Sequence, residues 1–376
     1  MFTFDVTTFY HANTSLLDMK AKTNITKTLW LFLLVVCMTS MGAIEVKAQG
    51  DAGSTGESGS RAGTHGAAEL LVPLTARYVA LGGATTSGMQ DMNGLEALFA
   101  NPAGLAVNDG TAAMFSRVEY VADIGINYLG VAQSIGYNNI AFTVTSWDFG
   151  DIAEQTELAP EITDVTFNIN YLTAGLSYSR QLTDRIAAGA TMKLISESID
   201  DVSANAVAFD AGMTYDITGS GLRLGVALKN IGNELTFSGV GFARQVRIPG
   251  QEPSANNNTL VLESEGVQLP TLLNVGLSYT RDVGANAMVR VLGNFRSNSF
   301  EQDQFAGGLE LGVMDIVYVR GGFSATEDMD QTFYTGPAFG AGLKLDLNGT
   351  QLMVDYAYRT TDFFSDVQYI TASVKL

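Results

Sequence analysis

From Gly110 onward the chain alternates apolar and polar side chains in segments of about ten residues. In the clearest segment, 222–229, leucines and a valine occupy one parity, and Arg223 and Lys229 occupy the other. A repeat of two residues is typical of a β-strand whose two faces meet different surroundings. The pattern predicts fourteen strands, at 111–119, 125–135, 139–148, 166–180, 185–196, 204–217, 222–230, 271–281, 285–296, 303–313, 315–323, 336–347, 350–361 and 366–376.

Charged residues keep to one parity within these strands. An arginine or lysine at mid-bilayer on the lipid-facing side of a membrane barrel costs about 2–4 kcal/mol, so the charged parity must face the lumen. The apolar parity then forms the outer surface. The predicted lumen-facing charges are Arg223, Lys229, Arg290, Arg296, Lys344, Asp355 and Arg359.

The connections alternate in length, and tight turns such as Asn348-Gly349 are followed by longer loops. This asymmetry is typical of outer-membrane barrels, whose turns are short on the periplasmic side. An open sheet edge is not viable in hydrocarbon, so the last strand must pair with the first. We therefore predict an all-β fold, a transmembrane antiparallel up-and-down β-barrel of about fourteen strands. The second and fourth strands alternate poorly, and we expect a bulge in each. The predicted long loops are 149–165, 197–203, 231–270, 297–302, 324–335 and 362–365.

The stretch 69–110 does not alternate. It contains a diglycine, a short helix-like segment, and a box in which proline fixes its own φ and ends the helix. Because a fourteen-strand barrel leaves a lumen wide enough to need filling, we expect this stretch to fold inside it as an N-terminal plug, or hatch. Its motif residues are Gly82, Gly83, Asn101, Pro102, Ala103 and Gly104, the last permitting a positive φ.

The same residues carry a resemblance to known proteins. Pro73, 76–77, 81–84 and the box 101–106 are similar to the N-terminal region of the PorV/PorQ family, within the wider FadL-like outer-membrane barrels. The last segment, 368–376, resembles the C-terminal signal that the barrel assembly machinery reads. The resemblance implies an outer-membrane location in a Gram-negative-type bacterium, with membrane lipid and the assembly machinery as partners.

The N-terminal residues have the pattern of a cleaved signal peptide. A basic region begins at Met19, the probable true start, and the apolar run 29–38 is too short to span a bilayer. Cleavage before Gln49 gives four parts: signal peptide 1–48, flexible periplasmic linker 49–68, hatch 69–110 and barrel 111–376.

Composition narrows the possible chemistry. Of the 376 residues 46% are hydrophobic and 16% charged, and the net charge of −18 makes nucleic acid a poor partner. Cys37 is the only cysteine, and His11 and His65 are the only histidines, all three outside the predicted barrel. Serine–histidine and cysteine–histidine catalysis and ordinary zinc sites are therefore excluded there. We expect no enzyme, no cofactor and no metal.

The loop 231–270 combines apolar and basic residues on an otherwise acidic exterior. It is either a docking surface or a hairpin packed over the barrel mouth, and the hairpin is favoured. The candidate docking residues are Phe237, Phe242, Arg244 and Arg247.

Two functions compete. Resemblance to PorV implies a type IX secretion component, whose barrel binds the C-terminal signal domains of secreted cargo and contacts other type IX components. Resemblance to the FadL-like barrels implies a passive channel for hydrophobic small molecules, with a binding pocket at the plug and an exit through the wall. The first is preferred because 73–84 resembles PorV more than the fatty-acid channels. A purely structural role stays open.

Overall fold

The structure is a computed structural model that describes residues 64–88, 94–153, 166–217, 219–246, 258–327, 334–362 and 364–376. The predicted signal peptide 1–48, its start at Met19, and linker residues 49–63 lie outside these ranges. In the described part of the chain, no helix is long and apolar enough to cross a membrane.

Fourteen long strands form one closed antiparallel barrel. Each strand pairs with its sequence neighbours, and β14 pairs with β1 over eight residues, from Ala112–Lys375 to Glu119–Gln368. The predicted fold class, strand number and closure are confirmed. The strands are β1 Thr111–Glu119, β2 Gly125–Ile135, β3 Asn138–Asp148, β4 Ile169–Gln181, β5 Ile186–Ile199, β6 Val202–Ile217, β7 Leu222–Gly232, β8 Leu272–Val283, β9 Ala287–Asn298, β10 Gln304–Val313, β11 Val317–Thr326, β12 Tyr334–Leu347, β13 Thr350–Thr361 and β14 Val367–Lys375.

The barrel has an apolar outer surface. In β7, for example, Leu224, Val226 and Leu228 are exposed, whereas Gly225 and Ala227 between them are buried. Such an outer surface suits lipid, because a monomer in water rarely exposes so large an apolar area. One exposed apolar residue from each strand in order is Phe115, Leu129, Phe142, Leu176, Leu194, Phe209, Val226, Leu277, Val291, Leu309, Val319, Phe339, Val354 and Ile370.

Three details of the strands differ from expectation. The loop predicted at 197–203 is a two-residue turn, because β5 and β6 both extend to it and Asp200 adopts a φ of 50°. The bulges predicted in the second and fourth strands are absent, since β2 and β4 keep an unbroken register with their neighbours. The prediction was wrong because the inner face of β2 is apolar: Ile126 and Tyr128 pack against the hatch.

The register shifts occur elsewhere. One lies between β6 and β7, where Phe209 and Ala211 oppose Ile231 and Leu228, so β7 has one extra residue. The other lies between β12 and β13, next to Gly336. Bulges of this kind re-aim side chains locally.

The N-terminal stretch runs through the lumen, as predicted. The amide of Gly66 donates to Gln268 O near the long-loop end, and the Ala76 amide donates to Thr371 Oγ1 inside the barrel. The Asn108 side chain reaches Gly110 beside the start of β1. The hatch contains α1 Ala76–Ala80, α2 Gly94–Leu98, and the 3-10 helices Ala68–Leu71 and Pro102–Val107.

The beginning of the hatch lies at the opposite end from the one expected. Residues 64–68, predicted as free periplasmic linker, pack at the long-loop end of the barrel. Ala67 is buried with Leu235 and Leu269, which flank the loop between β7 and β8. An apolar cluster of this kind fixes the segment in place.

The loop between β7 and β8 is ordered in its described parts. Leu235 pairs with Val267 at its base. Further short elements are Ser238–Gly239 beside β6, the 3-10 helix Val240–Phe242, the hairpin Ala243–Val246 with Asn258–Val261, the pair Ile152–Ala153 with Thr166–Phe167, and the 3-10 helix Val121–Asp123.

Candidate functional site

Inward-facing glycines let the hatch backbone touch the barrel wall. A Cβ at Gly189 would lie 2.5 Å from the carbonyl of Pro102, and one at Gly276 would lie 2.8 Å from the amide nitrogen of Ser87. Real Cβ atoms do not approach backbone so closely. The hatch is thus seated on a belt of positions without side chains. Its members are Gly189, Gly212, Gly225, Gly276, Gly308, Gly322 and Gly340.

Asn101 is the polar centre of the hatch motif. Its side-chain nitrogen donates to Thr86 O at 2.8 Å and to the carbonyls of Met213 and Val226 in the wall, at 3.2 and 3.3 Å. Its Oδ1 accepts from the Ala103 amide at 2.9 Å, which starts the second 3-10 helix. A single asparagine therefore joins two hatch segments to two strands, and a buried amide bonded this fully is costly to disturb.

The glycines of the motif serve two purposes. Gly82 and Gly83 have φ values of 66° and 84°, which only glycine adopts easily. The expected positive φ at Gly104 is absent; instead, a side chain there would overlap Ala97 of α2. Gly104 is needed for close packing between two hatch helices.

A buried cluster of six charges anchors α1 to the wall. Glu310 of β10 accepts two hydrogen bonds of 3.0 Å from Arg77, and it also pairs with Arg290 and Arg320. Arg320 pairs with Asp355, and Glu96 of α2 lies 3.5 Å from Arg77. Three cations therefore meet three carboxylates, which is the condition for keeping charge inside a barrel.

The predicted lumen-facing charges divide into three groups. Arg290 and Asp355 belong to the buried cluster. Lys229, Arg296 and Arg359 contact the hatch or the mouth: Lys229 donates to Phe99 O at 2.5 Å, Arg296 binds the Tyr78 hydroxyl, and Arg359 lies 3.5 Å from the ring centroid of Tyr334. Arg223 and Lys344 lie near the short-turn rim, beside Asp216 at 3.9 Å and Asp315 at 2.8 Å.

The bulge in β7 assembles a polar group that the sequence pattern missed. Lys193 pairs with Asp210 at 2.6 Å, and Asp210 also accepts the Asn230 amide at 2.8 Å. The extra residue turns both Lys229 and Asn230 inward, although they are adjacent in sequence. Strict alternation would have put Asn230 in lipid.

A cavity of about 890 Å³ lies at the long-loop end of the lumen, between the start of the hatch and the wall. Four of its lining rings form a continuous cluster. Trp147 lies 5.7 Å from Tyr120 and 5.9 Å from Phe149 between ring centroids, and Phe149 lies 5.0 Å from Tyr171. We call this space the mouth cavity. Its size is within the range of small-molecule sites, about 300–1,000 Å³.

A smaller pocket of about 60 Å³ lies deeper in the lumen. We call it the inner pocket. Glu69 and Trp147 line both spaces, so the two adjoin there. The hatch side of the inner pocket is apolar, with Leu74, Leu98 and Phe99, whereas the wall side is rich in hydroxyl groups. These wall residues are Thr143, Thr145, Thr173, Ser177 and Thr191.

Below the inner pocket, part of the hatch packs against the barrel wall. The 3-10 helix Pro102–Val107 packs against β3, β4, β5 and β6. Strands β2 to β6 keep unbroken registers around the inner pocket, whereas the register shift between β6 and β7 lies at Asp210, which lines that pocket. The wall exit implied by the FadL-like resemblance stays a prediction.

Two ionisable groups of the hatch face the mouth cavity. Burial, together with the nearby charge of Glu197, raises the pKa of Glu69 to about 8. The carboxylate of Glu301, 3.9 Å away, raises the pKa of His65 above its usual value. The two carboxyl groups of Glu69 and Glu197 together therefore hold a proton more tightly than free glutamates do.

The candidate docking residues form part of the folded loop. Phe237 packs on the Leu235 cluster, and Phe242 is half-buried in a 3-10 helix. Arg244 is exposed and donates to the carbonyls of Gly241 and Ala243 in its own loop. Arg247 lies outside the described residues. The choice between a docking surface and a hairpin over the mouth stays a prediction, because 247–257 lie outside the described residues.

Cofactor and metal sites were not expected. In the described ranges, no group of three or more histidine, cysteine, aspartate or glutamate side chains is placed to hold a metal ion. The side chains that line the two spaces can bind a ligand through aromatic, hydroxyl and carboxyl groups.

Two solved structures are similar to this chain in fold. A FadL homologue from Pseudomonas aeruginosa matches with a TM-score of 0.51 at 12% identity, covering 81% of this chain and 97% of the other. The toluene transporter TodX from Pseudomonas putida matches with a TM-score of 0.50 at 15% identity, covering 79% and 96%.

These likenesses concern the fold. No protein-family model matches the chain, and no curated protein matches its sequence. Membership of the PorV/PorQ family and the type IX role stay predictions, since neither comparator is described as a secretion component.

Proposed function

We propose that this protein is a passive outer-membrane channel for small apolar molecules, which it collects in the mouth cavity. This corresponds to the second of the two functions considered from the sequence. The observation that carries it is the aromatic cluster of Tyr120, Trp147, Phe149 and Tyr171 on the wall of a cavity of about 890 Å³. Aromatic walls bind apolar solutes by removing their surface from water, at about 25 cal/mol per Å².

The arrangement of the two spaces supports an inward route. Glu69 and Trp147 separate the mouth cavity from the inner pocket, and the 3-10 helix Ala68–Leu71 forms part of that partition. A solute in the mouth cavity is thus one short segment away from the inner pocket. Further passage requires the hatch to shift, because Pro102–Val107 closes the lumen below.

The fold comparison supports the same function by analogy. TodX is described as a toluene transporter. An aromatic hydrocarbon of that size would fit the mouth cavity of this chain. No catalytic step is part of the proposal.

Trp147 gives a direct test. The chain has two tryptophans, and the other, Trp30, lies in the predicted signal peptide. In the processed protein Trp147 is then the single tryptophan, and it lines the cavity. We expect bromobenzene, a heavy-atom quencher, to quench its fluorescence saturably when the protein is in lipid nanodiscs. Quenching that rises linearly with bromobenzene would indicate partitioning into lipid and would contradict the proposal.

A matched pair of variants makes the test specific. Phe149→Ala removes one ring of the cluster, and we expect it to weaken bromobenzene binding about tenfold, about 1.4 kcal/mol. Phe142→Ala removes an exposed, outward ring from β3 and should leave binding unchanged. Equal effects of the two changes would place the probe outside the cavity.

A further inference from the structure

Two carboxyl groups of the mouth cavity hydrogen-bond to each other and form no ion pair with a lysine or arginine of the described residues. Glu69 of the hatch and Glu197 of β5 are 7% and 4% exposed, and both line the cavity. One oxygen of each, Oε1, has no hydrogen-bond partner among the described residues. A buried carboxylate without a counter-ion is costly, so the pair keeps a proton between its two groups, and a cation can replace that proton.

The basic groups of the same cavity are engaged elsewhere. Arg296 binds Tyr78 and Asn274, and Arg359 binds Ser324 and stacks on Tyr334. His65 lies 3.9 Å from Glu301. Within the described ranges, no lysine or arginine forms an ion pair with Glu69 or Glu197.

Aromatic rings stand next to these carboxyl groups. Tyr171 of β4 is the direct cross-strand partner of Glu197, so their side chains share the inner face. Trp147 lies 6.5 Å from Tyr171 between centroids, and its Nε1 donates no hydrogen bond among the described residues. Aromatic faces attract organic cations, and carboxylates beside them add Coulomb attraction.

We propose that the corner formed by Glu69, Glu197, Trp147, Phe149 and Tyr171 is a binding site for apolar organic cations, that is, amines with an alkyl or aromatic body. The ammonium takes the place of the proton that joins the two carboxyl groups, and the apolar body lies on the rings. This inference rests on the proposed function, because it names the class of solute that the same cavity selects. Neutral aromatic molecules bind more weakly there, and carboxylates most weakly.

The site is defined by the positions of its side chains, and the raised pKa of Glu69 agrees with it. Glu69 has a pKa of about 8 while the corner is empty, and the charges that act on it are those of Glu197 and His65. A permanent cation placed between the carboxyl groups favours their ionised forms. Binding at pH 7 is therefore coupled to proton release.

Three probes with a common ring test the inference. Benzyltrimethylammonium, benzyl alcohol and phenylacetate differ in charge, and their binding to the full protein in nanodiscs is measured by Trp147 fluorescence and calorimetry. We expect the cation to bind at least about tenfold more tightly than the alcohol, and phenylacetate to bind most weakly. If the alcohol binds and the cation binds no better, the inference fails while the proposed function stands. If no probe binds, both fail.

Carboxamide variants locate the cation. The double change Glu69→Gln with Glu197→Gln should remove the preference for the cation and leave benzyl alcohol binding intact, which also shows that the variant is folded. Either single change should keep part of the preference, because the remaining carboxyl then ionises more easily. Glu265→Gln, at an exposed position on the same loop side and outside the cavity lining, is the matched control. A double variant that keeps the preference would overturn the inference.

Two further measurements test where the cation binds and whether it is an external ligand. Calorimetry of the unaltered protein at pH 7 in buffers of different ionisation enthalpy should reveal proton release on cation binding, and no release would contradict a site at Glu69. The chain also carries Arg61 just before the described residues. If the unaltered protein rejects the cation and Arg61→Gln accepts it, the site belongs to the chain's own arginine and the external-ligand inference is wrong.

Discussion

Replacing Gly189 by alanine tests how the hatch is held. The new Cβ would lie 2.5 Å from Pro102 O and 2.7 Å from the Ala103 nitrogen, whereas ordinary contacts begin at 3.4 Å. The hatch backbone must then move away from β5 by about 0.9 Å, the difference between 3.4 and 2.5 Å. That movement disturbs the hydrogen bond between the Ala103 amide and Asn101.

The cost follows from two effects. Overpacking a well-filled interior costs about 1–3 kcal/mol, and each buried polar group that loses its partner adds about 1–3 kcal/mol. We take about 3 kcal/mol as the loss in hatch docking, which corresponds to about a hundredfold rise in hatch opening. The barrel itself should be unaffected, because the ladders of β5 with β4 and β6 do not change.

Hydrogen–deuterium exchange measures this opening. Amides of 94–108 should exchange about a hundredfold faster in Gly189→Ala, while barrel amides exchange as before. Gly293→Ala is the control, since a Cβ there meets nothing within 4 Å. Unchanged exchange of the hatch in Gly189→Ala would refute the idea that close backbone contact holds it.

Two other predictions concern the hatch. Arg77→Met leaves Glu310 with two arginines instead of three and removes the cation of α1. We expect this change to weaken hatch docking by about 3–5 kcal/mol. In planar-bilayer conductance, the weaker docking should appear as more frequent large openings. Glu69→Gln should stabilise the protein increasingly as pH rises. The folded-state pKa, about 8, exceeds the ordinary 4.5, so wild-type stability is lost between those values, by at most about 5 kcal/mol. Thermal unfolding at pH 5, 7 and 9 should show the two proteins diverging; a constant difference would contradict the assignment.

The barrel could be predicted from the sequence because lipid imposes a simple rule. Every outward position such as Leu224 or Val226 must be apolar, and charges such as Arg290 must point inward. The two-residue period then predicts how many strands there are, and the parity of the charged residues predicts which side of each strand faces the lumen. The rule fails where the lumen-facing residues are themselves apolar, as Ile126 and Tyr128 are. Both faces of the strand then carry apolar side chains, and the pattern no longer distinguishes them.

The hatch could be placed inside the barrel but not oriented. The alternating pattern does not predict the structure of a segment without strands. The contact of Gly66 with Gln268 joins positions about two hundred residues apart, and no local pattern predicts such a contact. The belt of inward glycines was visible in the sequence, yet glycine alternates with apolar residues for several reasons. Only the positions of Asn101 and Pro102 explain why Gly189 and Gly212 have no side chain.

The mouth cavity could not be predicted from the sequence, for a similar reason. Trp147, Phe149 and Tyr171 lie at strand ends, where the alternating pattern stops carrying information. Glu69 and Glu197 belong to different elements, and nothing in either segment indicates that they meet. Their proximity results from the hatch entering the barrel from the long-loop end.

Uptake by intact cells tests the central claim most directly. The chain is expressed in a Gram-negative host without such a channel, and the initial uptake of a radiolabelled apolar aromatic compound is measured at limiting concentration. We predict faster uptake than in cells with empty vector, a marked loss with Phe149→Ala, and no loss with Phe142→Ala. Uptake equal to that of empty vector, or equally reduced by both changes, would contradict entry through the mouth cavity.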